Sequence, residues 1–154
     1  MLALALAAAL VAPLQTADSV ARGVLDGVCL PYVGSGAVDP AALDGLGFAL
    51  AEEDGDSRQY VTRDQAFILR LTETGTESRG DLDRLCVLQA RRGGLESVRR
   101  GVAGVLEAGG YTLDPDMPAD RPIWSRGGAT VSLRQNEGRA TIMRVSWSSL
   151  GDAP

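Results

Sequence analysis

Apolar residues recur along this chain with two periods, and each period marks one kind of element. Leu95, Val98, Val102, Val105 and Leu106 fall on one helical stripe, and Gly109-Gly110 suits its end. Val20, Val24 and Val28 repeat that spacing near the start, with Pro31 as the expected stop. Elsewhere the period drops to two. Strands are predicted over Phe48 to Glu53, Arg58 to Arg63, Ala66 to Thr72 and Leu85 to Arg91. Four more are predicted over Tyr111 to Leu113, Pro122 to Ser125, Ala129 to Arg134 and Ala140 to Trp147. Asp54-Gly55-Asp56 and Asn136-Glu137-Gly138 read as hairpin turns. Hairpin-linked strands predict antiparallel pairing, with helices covering one face.

The two halves match each other. Ser19-Val20-Ala21-Arg22-Gly23-Val24 and Ser97-Val98-Arg99-Arg100-Gly101-Val102 share five of six residues, and Asp18 and Glu96 precede them. Gly47-Phe48-Ala49-Leu50 matches Gly110-Tyr111-Thr112-Leu113. Without a gap, Arg63 then falls on Arg126, Ala66 on Ala129 and Ile68 on Val131. A loop from Pro31 to Gly45 is the extra material of the first copy. The expected fold is therefore α+β: two tandem helix-then-strands repeats, about 18–92 and 95–150, forming one antiparallel sheet with two main helices on one face. This layout resembles the tandem α/β repeats of TATA-binding-like and secreted inhibitor folds, a likeness of architecture that carries no function. Gly23 and Gly101 sit at equivalent points inside the helices. Glycine there costs about 1 kcal/mol, so a close approach of helix to sheet is expected.

The uncharged run from Leu2 to Leu14 is too short to span a bilayer and fits the apolar core of an export signal. Residues 1–17 are read as that segment and 18–154 as one domain, periplasmic or secreted, with no stable membrane insertion after cleavage. No basic residue precedes the run, which an upstream start would explain. The competing reading is an N-terminal helix packed on the core. A domain of this size buries about two-thirds of its unfolded surface.

Cys29 and Cys86 are the two cysteines. In an exported chain they predict a disulfide, stabilising the fold by about 4 kcal/mol in the chain-entropy picture. The rival is a reactive thiol, which lacks a histidine to hold it as thiolate.

The chain carries a net charge of −5, and all 15 of its basic residues are arginines. That charge opposes broad attraction to nucleic acid or anionic membranes. With no histidine there is no Ser-His-Asp device, and with no lysine no Schiff base or P-loop lysine. Chemistry would have to rest on carboxylates, Tyr, Cys or Arg. No cofactor motif is present. The acidic stretch Glu52-Glu53-Asp54-Gly55-Asp56 lacks the spacing of an EF-hand, and Asp114, Asp116 and Asp120 lie in a proline-broken loop. Both are read as solvated turns, and no metal site is expected.

Two surfaces remain as candidates. Phe67, Leu69 and Leu71 point to one side of their strand and could form a partner-binding or dimerisation patch, unless the long first loop covers them. Thr130, Ser132 and Arg134 occupy one face of the matching strand. Arg92, Arg99 and Arg100 flank the second helix start, where an anion could bind, although Glu96 can pair with Arg100. Arg79-Gly80-Asp81 reads as a hairpin loop. Tyr60, Trp124 and Trp147 are expected in the core. The functional expectation is a non-catalytic binding module whose partner is another envelope protein or a second copy of itself. A small envelope hydrolase with carboxylate or Arg chemistry, or a structural homodimer subunit, are the alternatives.

Overall fold

A computed structural model describes residues 15–73, 83–136, 138 and 140–149. The N-terminal helix α1 (Ala17–Val24) starts at Thr16, whose extended backbone caps it. Val20 and Val24 are buried one turn apart, as their spacing requires. The helical path does not stop at Pro31. It passes through a π-helical turn, Leu25–Cys29, into α2 (Leu30–Ser35). Proline has no N–H to donate, and its ring presses on the carbonyl four residues earlier. The wider π turn relieves this, since the Leu30 N–H reaches back to the Leu25 carbonyl. The stop is Gly36, at φ 76°, whose N–H closes on the Tyr32 carbonyl at 2.7 Å. The rest of the expected loop holds a third helix, α3 (Pro40–Gly45). The Asp39 carboxylate accepts from the Ala41 N–H at 2.9 Å, and proline occupies the first helical turn. Tyr32, Val33 and Leu43 from this stretch are buried.

The strands are β1 (Phe48–Asp54), β2 (Ser57–Thr62), β3 (Phe67–Glu73), β4 (Arg84–Ala90), β5 (Thr112–Leu113), β6 (Ile123–Arg126), β7 (Ala129–Gln135) and β8 (Thr141–Trp147), with α4 (Gly94–Ala108) between β4 and β5. They form one antiparallel sheet in the order β1-β2-β3-β4-β8-β7-β6-β5. The last strand of each half thus lies at the centre, with Cys86 opposite Val145 and Leu88 opposite Met143. The edges are blunted. β1 carries Glu52, Glu53 and Asp54 and shifts register between Leu50 and Glu52, while β5 has two residues. Leu50 and Leu113, on these two edge strands, are the exposed large apolar residues among those described.

The pleat sorts the side chains. One side buries Tyr60, Leu69, Leu71, Cys86, Leu88, Val131, Leu133, Met143 and Val145. They share one core cluster with Val20, Val24, Leu25 and Val28 and with Val98, Val102 and Leu106 of α4. Tyr60 and Trp124 belong to this core, and Trp147 packs against it half-buried. Ile68 lies on the other side of the sheet from Val131, so the gap-free match of these two is off by one residue. A one-residue slip turns every side chain of a strand over. Leu69, paired with Tyr60, and Val131, paired with Trp124, both point into the core. The β2–β3 connection is two residues longer than the β6–β7 one, nine positions from Tyr60 to Leu69 against seven from Trp124 to Val131.

The helix glycines serve contacts other than the expected helix–sheet approach. A Cβ at Gly101 would run into the Asp18 carbonyl oxygen, so α4 meets α1 backbone to backbone there. At Gly23 it would meet the Leu46 side chain.

Candidate functional site

Cys29 and Cys86 are joined in a disulfide with Cα atoms 5.4 Å apart. Both are fully buried. The bond ties the helical run to the centre of the sheet, and neither sulfur is available as a nucleophile.

The first expected patch is corrected. Phe67, Leu69 and Leu71 are at most 1% exposed. They point into the core cluster, so a partner cannot reach them. The ring of Phe67 has the guanidinium of Arg92 5.3 Å from its centroid.

The expected anion site does not gather either. Arg92 pairs with Asp64 at 2.9 Å and donates to the Gln15 carbonyl at 3.0 Å. Arg99 donates to the Ala119 carbonyl at 3.3 Å. The carboxyl of Asp18 is held below its usual range, first by the Thr16 hydroxyl and more weakly by the charge of Arg100. Each guanidinium therefore faces a different partner. The start of α4 is also taken, because the Leu95 N–H donates to the Gln135 side-chain carbonyl at 3.2 Å.

The expected export segment runs through two regions. Residues 1–14 lie outside the described residues. Gln15, Thr16 and Ala17 belong to the fold: Ala17 is buried, Thr16 accepts from the Val20 N–H, and Gln15 accepts from Arg92. No helix among the described residues is long and apolar enough to cross a membrane.

The carboxylates do not converge. Glu52, Glu53, Asp54 and Asp56 are exposed along the first hairpin. Asp114 accepts from the Asp116 N–H at 2.9 Å, forming a local turn. Among the described residues, no three acidic or cysteine side chains are grouped to hold a metal ion. Asp64 is also held below the ordinary carboxylate range, first by the Ala66 N–H, then by the Thr62 hydroxyl and by Arg92. Burial raises the phenols of Tyr32 and Tyr111. The Arg79-Gly80-Asp81 triplet lies outside the described residues.

What the sequence alone did not reveal is the other side of the sheet. It presents Ile68, Arg70 and Thr72 on β3 and Leu85, Val87 and Gln89 on β4. β8 adds Ile142 and Arg144, and β7 adds Thr130, Ser132 and Arg134. The apolar members are half-exposed and the three arginines exposed. Registry arranges them in rows. Gln59, Arg70, Val87, Arg144 and Ser132 lie side by side across five strands. Next to that row run Val61, Ile68, Gln89, Ile142 and Arg134. Arg70 is steadied by a 2.7 Å bond to the Gln59 side-chain carbonyl.

Shallow hollows follow these rows. One of about 340 Å³ lies over Ile68, Arg70, Leu85, Val87 and Ile142. Another of about 350 Å³ lies over Leu85, Val87, Ile142, Arg144 and Arg134. A third of about 300 Å³, with Glu52 and Asp54, adjoins Arg70. They share lining residues and form one continuous surface. The alternation Ile-x-Arg, Leu-x-Val and Ile-x-Arg in the strands carries its signal, but only the pairing of distant strands brings the pieces together. Comparison with protein-family models, with curated proteins and with solved structures finds no match for this chain.

Proposed function

We propose that this chain is an exported, non-catalytic binding module that holds a protein partner of the envelope on the uncovered side of its sheet. The observation that carries this reading is the row Arg70–Val87–Arg144 with Ile68, Leu85 and Ile142 beside it. Half-exposed aliphatic side chains ringed by guanidinium groups are the composition of an interface core and its rim. The disulfide supports an oxidising compartment, where such bonds persist. The scaffold reads as two helix-then-strands units with their helices on one side, which leaves the opposite side free. The mirrored strand order and the equivalent edge positions of Leu50 and Leu113 support that duplication, with the longer β2–β3 turn as an insertion.

The test compares envelope fractions from cells making the wild type, Val87→Glu or Ala103→Glu, resolved by size under native conditions. Ala103 is exposed on α4 and serves as the control. The reading expects a complex with wild type and Ala103→Glu and its loss with Val87→Glu. Equal behaviour of the two variants would count against it. A complex of twice the monomer mass, formed by the purified protein alone, would indicate the homodimer subunit instead. The hydrolase alternative would rest on Glu52 and Asp54 beside Arg70. It needs one of these carboxyls raised toward neutrality, which the pH–rate profile of any hydrolytic activity would report.

A further inference from the structure

We infer that the partner presents an acidic protein surface, with carboxylates set around an apolar patch, to the four central strands of the uncovered side. This rests on the proposed use of that side and adds the chemistry of what it holds. Arg70 and Arg144 flank Val87 in one cross-strand row. They stand two strands apart, roughly 10 Å. Arg134 pairs with Ile142 and lies diagonally from Arg144, roughly 7–8 Å away. On this side β3, β4, β8 and β7 carry no carboxylate among the described residues. Glu52 and Asp54, on β1 beyond Gln59, line the hollow beside Arg70. In a chain of net charge −5, Arg134 and Arg144 thus stand on strands that carry no carboxylate on this side among the described residues, a locally positive patch. A partner with carboxylates at matching spacing gains attraction and orientation from it.

The apolar residues between the arginines decide the class of anion. Leu85, Val87 and Ile142 need aliphatic or aromatic side chains opposite them, which a protein supplies and a polyphosphate does not. No aromatic residue faces this side among the described residues, so bases and sugar rings find nothing to stack on. The overall negative charge also repels a nucleic acid beyond the patch. A second copy is a poor fit. Face to face, two copies would bring the same arginine-bearing patch against itself, like charge toward like.

The experiment selects a phage-displayed library of random peptides on the folded wild-type protein. Binding of the enriched peptides is then measured to wild type, Arg144→Glu, Arg134→Glu and Val87→Glu, with heparin and duplex DNA as other polyanions. The arginines are exposed, and an unchanged thermal midpoint would verify that those variants fold. The inference expects enriched peptides with Asp or Glu flanking aliphatic residues, about tenfold weaker binding to each Arg→Glu variant, and progressive loss with added salt. Enrichment of neutral or basic peptides that still need Val87 would leave the binding-face reading in place and overturn the acidic partner. Peptides indifferent to all three variants, or no enriched peptide at all, would overturn both. Binding of heparin or DNA as tight as the peptides, or self-association lost in Arg144→Glu, would overturn the acidic protein partner in favour of a polyanion or a second copy.

Discussion

The guanidinium of Arg84 lies over the indole of Trp147, 5.4 Å from the ring centroid, where the two residues face each other across β4 and β8. The same group donates to the Val33 carbonyl at 2.8 Å and to the Gly34 carbonyl at 3.3 Å. It therefore joins the central strand pair to the C-terminal turn of α2, whose last carbonyls lack helical partners. Removing it leaves those carbonyls to water and uncovers the indole. Arg84→Ala should lower stability by about 2–3 kcal/mol in a denaturant titration. Arg84→Lys should recover only part of this, because an ammonium cannot reproduce the planar stack.

The disulfide ties the other end of α2 to the same strand. Both sulfurs are buried, so alanine is the suitable replacement for testing the covalent link. Cys29→Ala/Cys86→Ala should lose about 4 kcal/mol, less any contribution from residual structure in the unfolded chain. Denaturant midpoints of the oxidised wild type and the variant measure it directly. Equal midpoints would show that the bond is dispensable.

Two helical glycines should respond in opposite directions. Gly101 abuts the Asp18 carbonyl, whereas a Cβ at Gly104 would meet nothing within 4 Å. Gly101→Ala forces the helices apart and should cost about 1–3 kcal/mol. Gly104→Ala removes a weak helix former at an open position and should add up to about 1 kcal/mol. Thermal midpoints of the pair, measured together, separate close contact from propensity.

The pair of helical glycines also marks what could be read from the sequence. Periodicity placed all eight strands to within about two residues at each end, since alternation depends only on neighbours. It placed α4 for the same reason. The path through Pro31 was not legible, because a π turn depends on packing at both ends of the helix. Nor was the side that Phe67, Leu69 and Leu71 face. A strand apolar on both sides gives no local cue as to which side the helices will cover. The candidate surface was hidden for a related reason. Arg70, Val87 and Arg144 are far apart in sequence and meet only through the β4–β8 pairing.

Thr141 is fully buried, and its hydroxyl has no hydrogen-bond partner among the described residues. Such a group keeps the cost of its lost hydration. Thr141→Val retains the shape and drops the hydroxyl, so it should stabilise the protein by about 1 kcal/mol. A destabilised variant would reveal a bond to that hydroxyl.

Asp64, like Asp18, contributes to the acid dependence. Its pKa is lowered on folding, so its contribution is present above the unfolded carboxyl value, about 4, and fades as pH falls through the folded value. Stability should decline below about pH 4, and Asp64→Asn should make that decline shallower. Denaturant midpoints across this range follow both. An unchanged acid limb in the variant would assign the decline to other groups.

Function is assigned to the side of the sheet that carries Val87, so the most direct measurement is site-specific photo-crosslinking in the producing cell. A photoreactive residue at Val87 should capture a discrete protein adduct, and the same residue at Ala103 on α4 should not. Adducts formed equally from both positions, or only from Ala103, would contradict it.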